Sequence, residues 1–159
     1  MLAVVVTAST RSAAGERDDA SGRIVLDALR AAGWQATGVV TTDGVAPVEA
    51  ALTAALEAGA RLVVTTGGTG INPRDETPEA TARVLGRELP GVAEELRRRG
   101  AAATPAAALS RGLAGVAVGS GGPALVVNLP GSPGGAADGI AFVLEIAGHA
   151  IEQLDGGDH

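Results

Sequence analysis

Three short apolar runs, separated by two stretches with helical spacing, constrain this chain more than any other feature. Leu2 to Val6 and Leu62 to Thr66 are brief, rich in β-branched residues and bounded by turn formers, which is how buried strands read. Trp34 to Val40 is a weaker third run. Between the first two strands, Ala20, Ile24 and Ala28 recur at helical spacing with Val25, Leu29 and Ala32 beside them. Asp19 or Ser21 serves as a start signal and Gly33 as a stop. Between the second and third strands, Pro47 suits a first helical turn, Val48, Leu52, Ala55 and Leu56 form an apolar stripe, and Gly59 closes it. The order β-α-β-α-β with short joints predicts an α/β domain on a parallel sheet with right-handed crossovers. In such sheets ligands bind beyond the carboxyl ends of the strands.

The rest of the chain predicts helices from about Pro78 to Leu85 and Pro90 to Arg99. Two strands, Ala114 to Val118 and Ala124 to Asn128, follow, joined so tightly by Gly119 to Pro123 that they should run antiparallel. A long helix from about Ser132 to Leu154 carries the stripe Ile140, Val143, Leu144, Ala147, Ile151 and Leu154. The Ala-rich stretch 100–108 reads as a loop shaped by Pro105, and the tail 155–159 as frayed. No repeat or long linker divides the chain, so one domain over 1–159 is expected.

Composition narrows the chemistry. Hydrophobic residues make up 46% of the chain, yet there is one Trp, one Phe and no Tyr, so the core must be aliphatic. With no cysteine, disulfides, thiolate metal sites and thiol nucleophiles are excluded, and a cytoplasmic setting fits. All twelve basic side chains are arginine, which removes a P-loop lysine, a Schiff base and a lysine general base. His149 lies in the last, long amphipathic segment and His159 at the end; neither reads as catalytic. A net charge of −6 disfavours a nucleic-acid partner, and no apolar run approaches the roughly 20 residues that span a bilayer.

What remains is carboxylates, hydroxyls, arginines and backbone amides, and these collect at strand ends. Gly67-Gly68-Thr69-Gly70 follows the third strand directly; glycines there let amides approach an anion, and Thr69 adds a hydroxyl. Asp75 comes soon after, poorly placed for an anion unless a cation intervenes, which suggests Mg²⁺. Thr77 before Pro78 reads as a helix cap, with Glu79 in the first turn. Asp43 lies after the second strand; beside Gly44 it reads equally as a turn residue, but on a parallel sheet it would share a rim with Asp75 as a two-carboxylate metal site. Pro130 and Gly131 force a turn at another strand end, and Ser132 opens a helix either as an ordinary cap or as a phosphate site. Ser110 and Arg111 precede the strand pair, where an arginine fork could grip a phosphate. Arg97-Arg98-Arg99, sharing a helix with Glu94 and Glu95, reads as a solvated face.

Taken in order, Thr65-Thr-Gly-Gly-Thr-Gly70, Asp75-Glu-Thr-Pro-Glu-Ala80, Ser110-Arg111 and Asn128-Leu-Pro-Gly-Ser-Pro133 resemble the MogA/MoaB family of molybdenum-cofactor biosynthesis, to which the G domain of gephyrin is related. The resemblance runs from about Val4 to Leu154, and the stretch ending at Gly135 is most like the actinobacterial branch. It implies a three-layer α/β/α domain, usually a homotrimer, that adenylylates molybdopterin with ATP and Mg²⁺, ahead of a molybdate-inserting enzyme. It further implies pocket roles for Gly67 to Gly70, Thr77, Ser110, Arg111 and Pro130 to Ser132, with Asp43 and Asp75 as the functional, metal-binding aspartates. One departure stands out: where the family commonly has a Ser-Asp pair after the first strand, this chain has Ser9-Thr10. A non-catalytic molybdopterin-binding trimer and an unrelated α/β nucleotide binder are the rival expectations.

Overall fold

The computed structural model describes residues 1–157. Its elements follow in the order β1 (Leu2–Ala8), α1 (Thr10–Ala13), α2 (Ala20–Ala31), β2 (Gln35–Thr41), α3 (Val45–Glu57), β3 (Leu62–Thr66), α4 (Thr77–Val84), β4 (Arg87–Glu88), α5 (Pro90–Ala103), a 3₁₀ turn (Pro105–Leu109), β5 (Ala114–Gly119), β6 (Gly122–Leu129) and α6 (Pro133–Leu154). They build one six-stranded sheet in the order β2-β1-β3-β6-β5-β4. β1 pairs in parallel with β2 and β3, and β3 with β6, while β5 runs antiparallel to both β6 and β4. The parallel β-α-β-α-β half and the antiparallel pair are as the sequence predicts.

Helices cover both faces, because successive strand residues point to opposite sides. Ala3 and Val5 of β1 join Val25 and Leu29 of α2 and Ile140, Val143 and Ala147 of α6 on one face. Val4, Val6 and Ala8 join Val48, Leu52 and Leu56 of α3 and Ala80 of α4 on the other. This two-sided burial is why the β1 and β3 runs are continuously apolar rather than alternating. Residues such as Leu62, Leu125 and Leu52 are fully buried, each worth roughly 1.5–3 kcal/mol relative to exposure.

Several expectations need correction. The stretch 100–108 is not a loop: α5 continues to Ala103, and Pro105 starts the 3₁₀ turn. Alanine favours helix wherever nothing interrupts it, and only Pro105 does. Thr77 does not cap α4; the residue before the helix is Glu76, and it makes no side-chain cap bond. The end 155–157 is held rather than frayed: Asp155 and Gly157 donate to the carbonyls of Ile151 and Glu152, and Arg61 pairs with Asp155 at 2.6 Å. His159 lies outside the described residues. Among the described residues, no helix is long and apolar enough to cross a membrane.

Candidate functional site

The carboxyl ends of β1, β2, β3 and β6 lie on one edge of the sheet, because those four strands are parallel. β5 is antiparallel to β6, so the segment before it, Ser110 to Leu113, arrives at the same edge. Topology therefore assembles Asp43, the glycine loop, Ser110-Arg111 and the turn 130–132 in one region.

A cavity of about 490 Å³ opens there. Thr69, Gly70, Ser110, Pro130 and Ser132 line it, five residues expected from the sequence. Leu96, Ala103, Ala107 and Leu109 supply apolar walls from α5 and the 3₁₀ turn. Such a cavity, mostly apolar with a few polar groups, has the size and character of a small-molecule site. Asn128 forms part of the wall. Its amide nitrogen donates to Thr65 Oγ1 at 3.0 Å and Thr81 Oγ1 at 2.9 Å, and its Oδ1 accepts from the Leu113 N–H at 3.0 Å. With both N–H donors and the carbonyl oxygen engaged inside the fold, this side chain fixes the junction of β3, β6 and α4.

The glycine loop owes its composition mainly to close packing. Gly67 has φ +88°, and a Cβ there would stand 2.5 Å from the Ala8 carbonyl oxygen. At Gly68, φ is +64° and a Cβ would meet Thr77 Oγ1 at 2.3 Å. Both positions demand glycine, on conformational and on steric grounds. Thr69 and Gly70, not Gly67 and Gly68, line the cavity. Gly131 lies just as close to the loop, a Cβ there falling 3.1 Å from Gly67 Cα, which locks the two strand-end turns together.

Asp75 stands directly behind Gly70: a Cβ on Gly70 would be 2.7 Å from Asp75 Oδ2. The same oxygen accepts from the Asn72 N–H at 3.1 Å, closing a turn. Asp43 Oδ2 accepts from the N–H and the hydroxyl of Thr10 at 2.9 and 2.7 Å. The two aspartate turns are neighbours, since a Cβ on Gly44 would lie 3.8 Å from Glu76 Oε2. Among the described residues, no three or more His, Cys, Asp or Glu side chains are grouped to hold a metal ion. One or two carboxylates without a full cage is the donor set that Mg²⁺ uses when substrate phosphates and water complete its shell.

Arg111 faces the protein. Its Nε donates to the Gly70 carbonyl at 2.8 Å, and its two terminal nitrogens reach the Asp75 carbonyl and the Glu79 carboxylate. Its own N–H donates to the Thr69 carbonyl at 2.8 Å. The fork thus braces the glycine loop against the Asp75 turn, and the guanidinium holds Glu79 below the usual carboxylate range. Thr77 is buried, and its Oγ1 has no hydrogen-bond partner among the described residues. Ser132 caps α6, accepting from the Gly135 N–H at 3.2 Å.

Among the lining residues that sequence reading missed are the three charged ones, Arg97, Arg99 and Asp138. Arg97 is not on a solvated face: it donates to the carbonyls of Ser110 and Gly112 at 3.4 and 3.1 Å. Arg99 pairs with Glu95 and Glu145 at 2.8 and 2.9 Å and lies 4.4 Å above the Phe142 ring. Of the three arginines, Arg98 is the exposed one; it pairs with Glu95 at 2.6 Å and shares that carboxylate with Arg99. Asp138 sits one turn after Gly134 and Gly135, on the same side of α6; that spacing was the available signal.

Comparison with known proteins agrees with this fold. Residues 4–149 match the family described as probable molybdopterin binding domain. A Pyrococcus furiosus protein named molybdopterin adenylyltransferase is 33% identical over 93% of this chain and 88% of its own length. A bifunctional molybdenum-cofactor biosynthesis protein of Synechococcus elongatus is 37% identical over 100% of this chain, which spans 49% of that protein. The solved Mog protein of Mycobacterium ulcerans superposes with a TM-score of 0.88 at 44% identity, covering 96% of this chain and 97% of that one. Family match, relatives and fold together place the chain in the MogA/MoaB family of molybdenum-cofactor biosynthesis.

Proposed function

We propose that this domain binds molybdopterin and adenylylates its terminal phosphate, using ATP and Mg²⁺, as a homotrimer. One observation carries the reading: the Asp75 carboxylate stands behind Gly70, and Gly70 lines a cavity of about 490 Å³. That puts an anionic group beside a pocket sized for a phosphorylated heterocycle. The apolar walls would receive the flat ring. Asp138, exposed at the rim, would accept from ring N–H groups.

In the reaction an oxygen of the pterin phosphate attacks the α-phosphorus of ATP. A new P–O bond forms, the bond from that phosphorus to the bridging oxygen breaks, and pyrophosphate leaves. Mg²⁺, held by Asp43 and Asp75, would neutralise charge on the phosphates. The chain's own part is positioning: Arg111 fixes the Thr69-Gly70 backbone against the Asp75 turn, and Asn128 fixes the strand ends behind it. Nucleotidyl transfer depends chiefly on alignment and charge, so a chain with no lysine is not disadvantaged.

The second reading is a trimer that holds molybdopterin without turnover. What favours it is the neutral Thr10 beside Asp43, where the family resemblance leads one to expect a carboxylate. Purified protein incubated with molybdopterin, ATP and Mg²⁺ separates the two. Release of pyrophosphate with formation of the adenylylated pterin supports the enzyme. Pterin binding with neither product supports the carrier.

A further inference from the structure

Asp43 is held in place by a neighbour that the sequence did not single out for any role. Thr10, in the first turn after β1, donates its N–H and its hydroxyl to one oxygen of Asp43, Oδ2, at 2.9 and 2.7 Å. The Asp43 N–H donates back to Thr10 Oγ1 at 3.2 Å. Ser9, just before it, donates its N–H to the Thr41 carbonyl at 2.9 Å, so the β1 and β2 strand ends are tied twice. The Thr10 hydroxyl is used in both senses at once, as donor to the carboxylate and acceptor from the backbone. That demands a hydroxyl and rules out an apolar or purely accepting side chain.

The clamp does not serve the core. Thr10 is exposed and Asp43 half-exposed, and neither belongs to the two buried clusters of the sheet. Its effect is on orientation. Two donors on Oδ2 fix the torsion of the carboxylate, while Oδ1 accepts from no protein group among the described residues. A carboxylate at the tip of an exposed turn would otherwise sample several rotamers, and charge in the right place only part of the time is a poor ligand for a cation.

We propose that Thr10 is a positioning residue: it holds Asp43 so that its free oxygen is presented to a Mg²⁺–triphosphate in one orientation. This rests on the reading of Asp43 as a cation-holding carboxylate. Unlike a second acidic residue, threonine orients Asp43 without adding negative charge beside an anionic substrate.

The test compares Thr10→Val, Thr10→Ser and Asp43→Asn with the wild-type chain. Binding of α,β-methylene-ATP is measured calorimetrically with and without Mg²⁺, and adenylylation and thermal unfolding are measured in parallel. Thr10→Val is expected to weaken Mg²⁺-dependent binding about tenfold and to lower kcat about 10–10²-fold, with KM for the pterin and the melting temperature little changed. Thr10→Ser keeps the hydroxyl and should stay within about twofold of wild type in binding and rate. Wild-type binding and turnover in Thr10→Val, with Asp43→Asn impaired, overturns the role of Thr10 alone. A Thr10→Ser variant as impaired as Thr10→Val overturns it too, by making the methyl group the important part. Wild-type behaviour in Asp43→Asn removes Asp43 from the site and the proposal with it.

Discussion

At the scale of single residues, charge and shape can be separated. Asp75→Asn keeps the acceptor that closes the turn with the Asn72 N–H, so its stability should change by no more than about 0.5 kcal/mol. Loss of the charge should lower kcat about 10²–10³-fold, while pterin binding is better preserved. Adenylylation rates measured beside thermal unfolding check both halves; a mutant with wild-type rates has no carboxylate role to explain. Thr77 offers the opposite case. Its hydroxyl is buried against Gly68 without a partner among the described residues, an arrangement that ordinarily costs about 1–3 kcal/mol. Thr77→Val should therefore raise the unliganded melting temperature, by about 2–4 °C for each kcal/mol recovered. If a ligand completes that hydroxyl's bonding, the same variant should gain less than wild type on adding molybdopterin. Differential scanning of the two proteins with and without the pterin measures it.

At the scale of elements, the joint between α5 and α6 is electrostatic on its outer side. Arg99 bridges Glu95 on its own helix and Glu145 on α6, and lies over the Phe142 ring. Hydrogen bonds from Arg98 and then Arg99 lower Glu95 to about 2; the bond from Arg99 lowers Glu145 as well. A carboxylate whose folded pKa is depressed adds stability above its unfolded value near 4.5, and that stability is lost as pH falls through the folded value. The difference in stability between wild type and Glu95→Gln should thus be constant above about pH 5 and shrink between roughly pH 4.5 and 2. These side chains are largely solvated, so the effect is small and should fade in high salt. Denaturant melts across that pH range give the curve; a difference that grows on acidification would contradict the ion-pair account. α5 also lines the cavity through Leu96 and Ala103, so loosening this joint should weaken ligand binding before it unfolds the domain.

At the scale of the whole molecule, the expected state is a homotrimer. The supporting observations are surface ones: Val39 and Val40 on the edge strand β2, Ile71 beyond the glycine loop, Leu109 and Val118 are all exposed. Scattered exposed aliphatics are ordinary singly, but an edge strand bearing adjacent valines is a liability that association would cover. Sedimentation equilibrium at micromolar concentration should give three times the 15.5 kDa chain mass; a monomer at that concentration would rule the trimer out.

The sequence by itself determined the elements whose signal is periodic. Continuous β-branched runs gave β1 and β3, apolar stripes gave α2, α3 and α6, and the short joint 119–123 gave the antiparallel pair. Burial forces such patterns on a chain, so they can be read before any fold is known. β4 left no trace, because two exposed residues pairing through backbone alone impose nothing on their side chains. The motifs pointed to the edge of the sheet where the cavity opens, but misjudged the contacts that individual residues make there. Glycines at 67 and 68 looked like an anion cradle and proved to be demanded by Ala8 and Thr77. Arg111 looked free to grip a phosphate and proved to be engaged with Gly70, Asp75 and Glu79. Arg97 and Arg99 looked like surface charges and proved to line the cavity, together with Asp138, which no motif had marked. The pairing of Thr10 with Asp43 spans 33 positions. Local sequence reports what each residue prefers, but which groups meet across such a distance depends on where the strands end in space, and only the tertiary structure decided that.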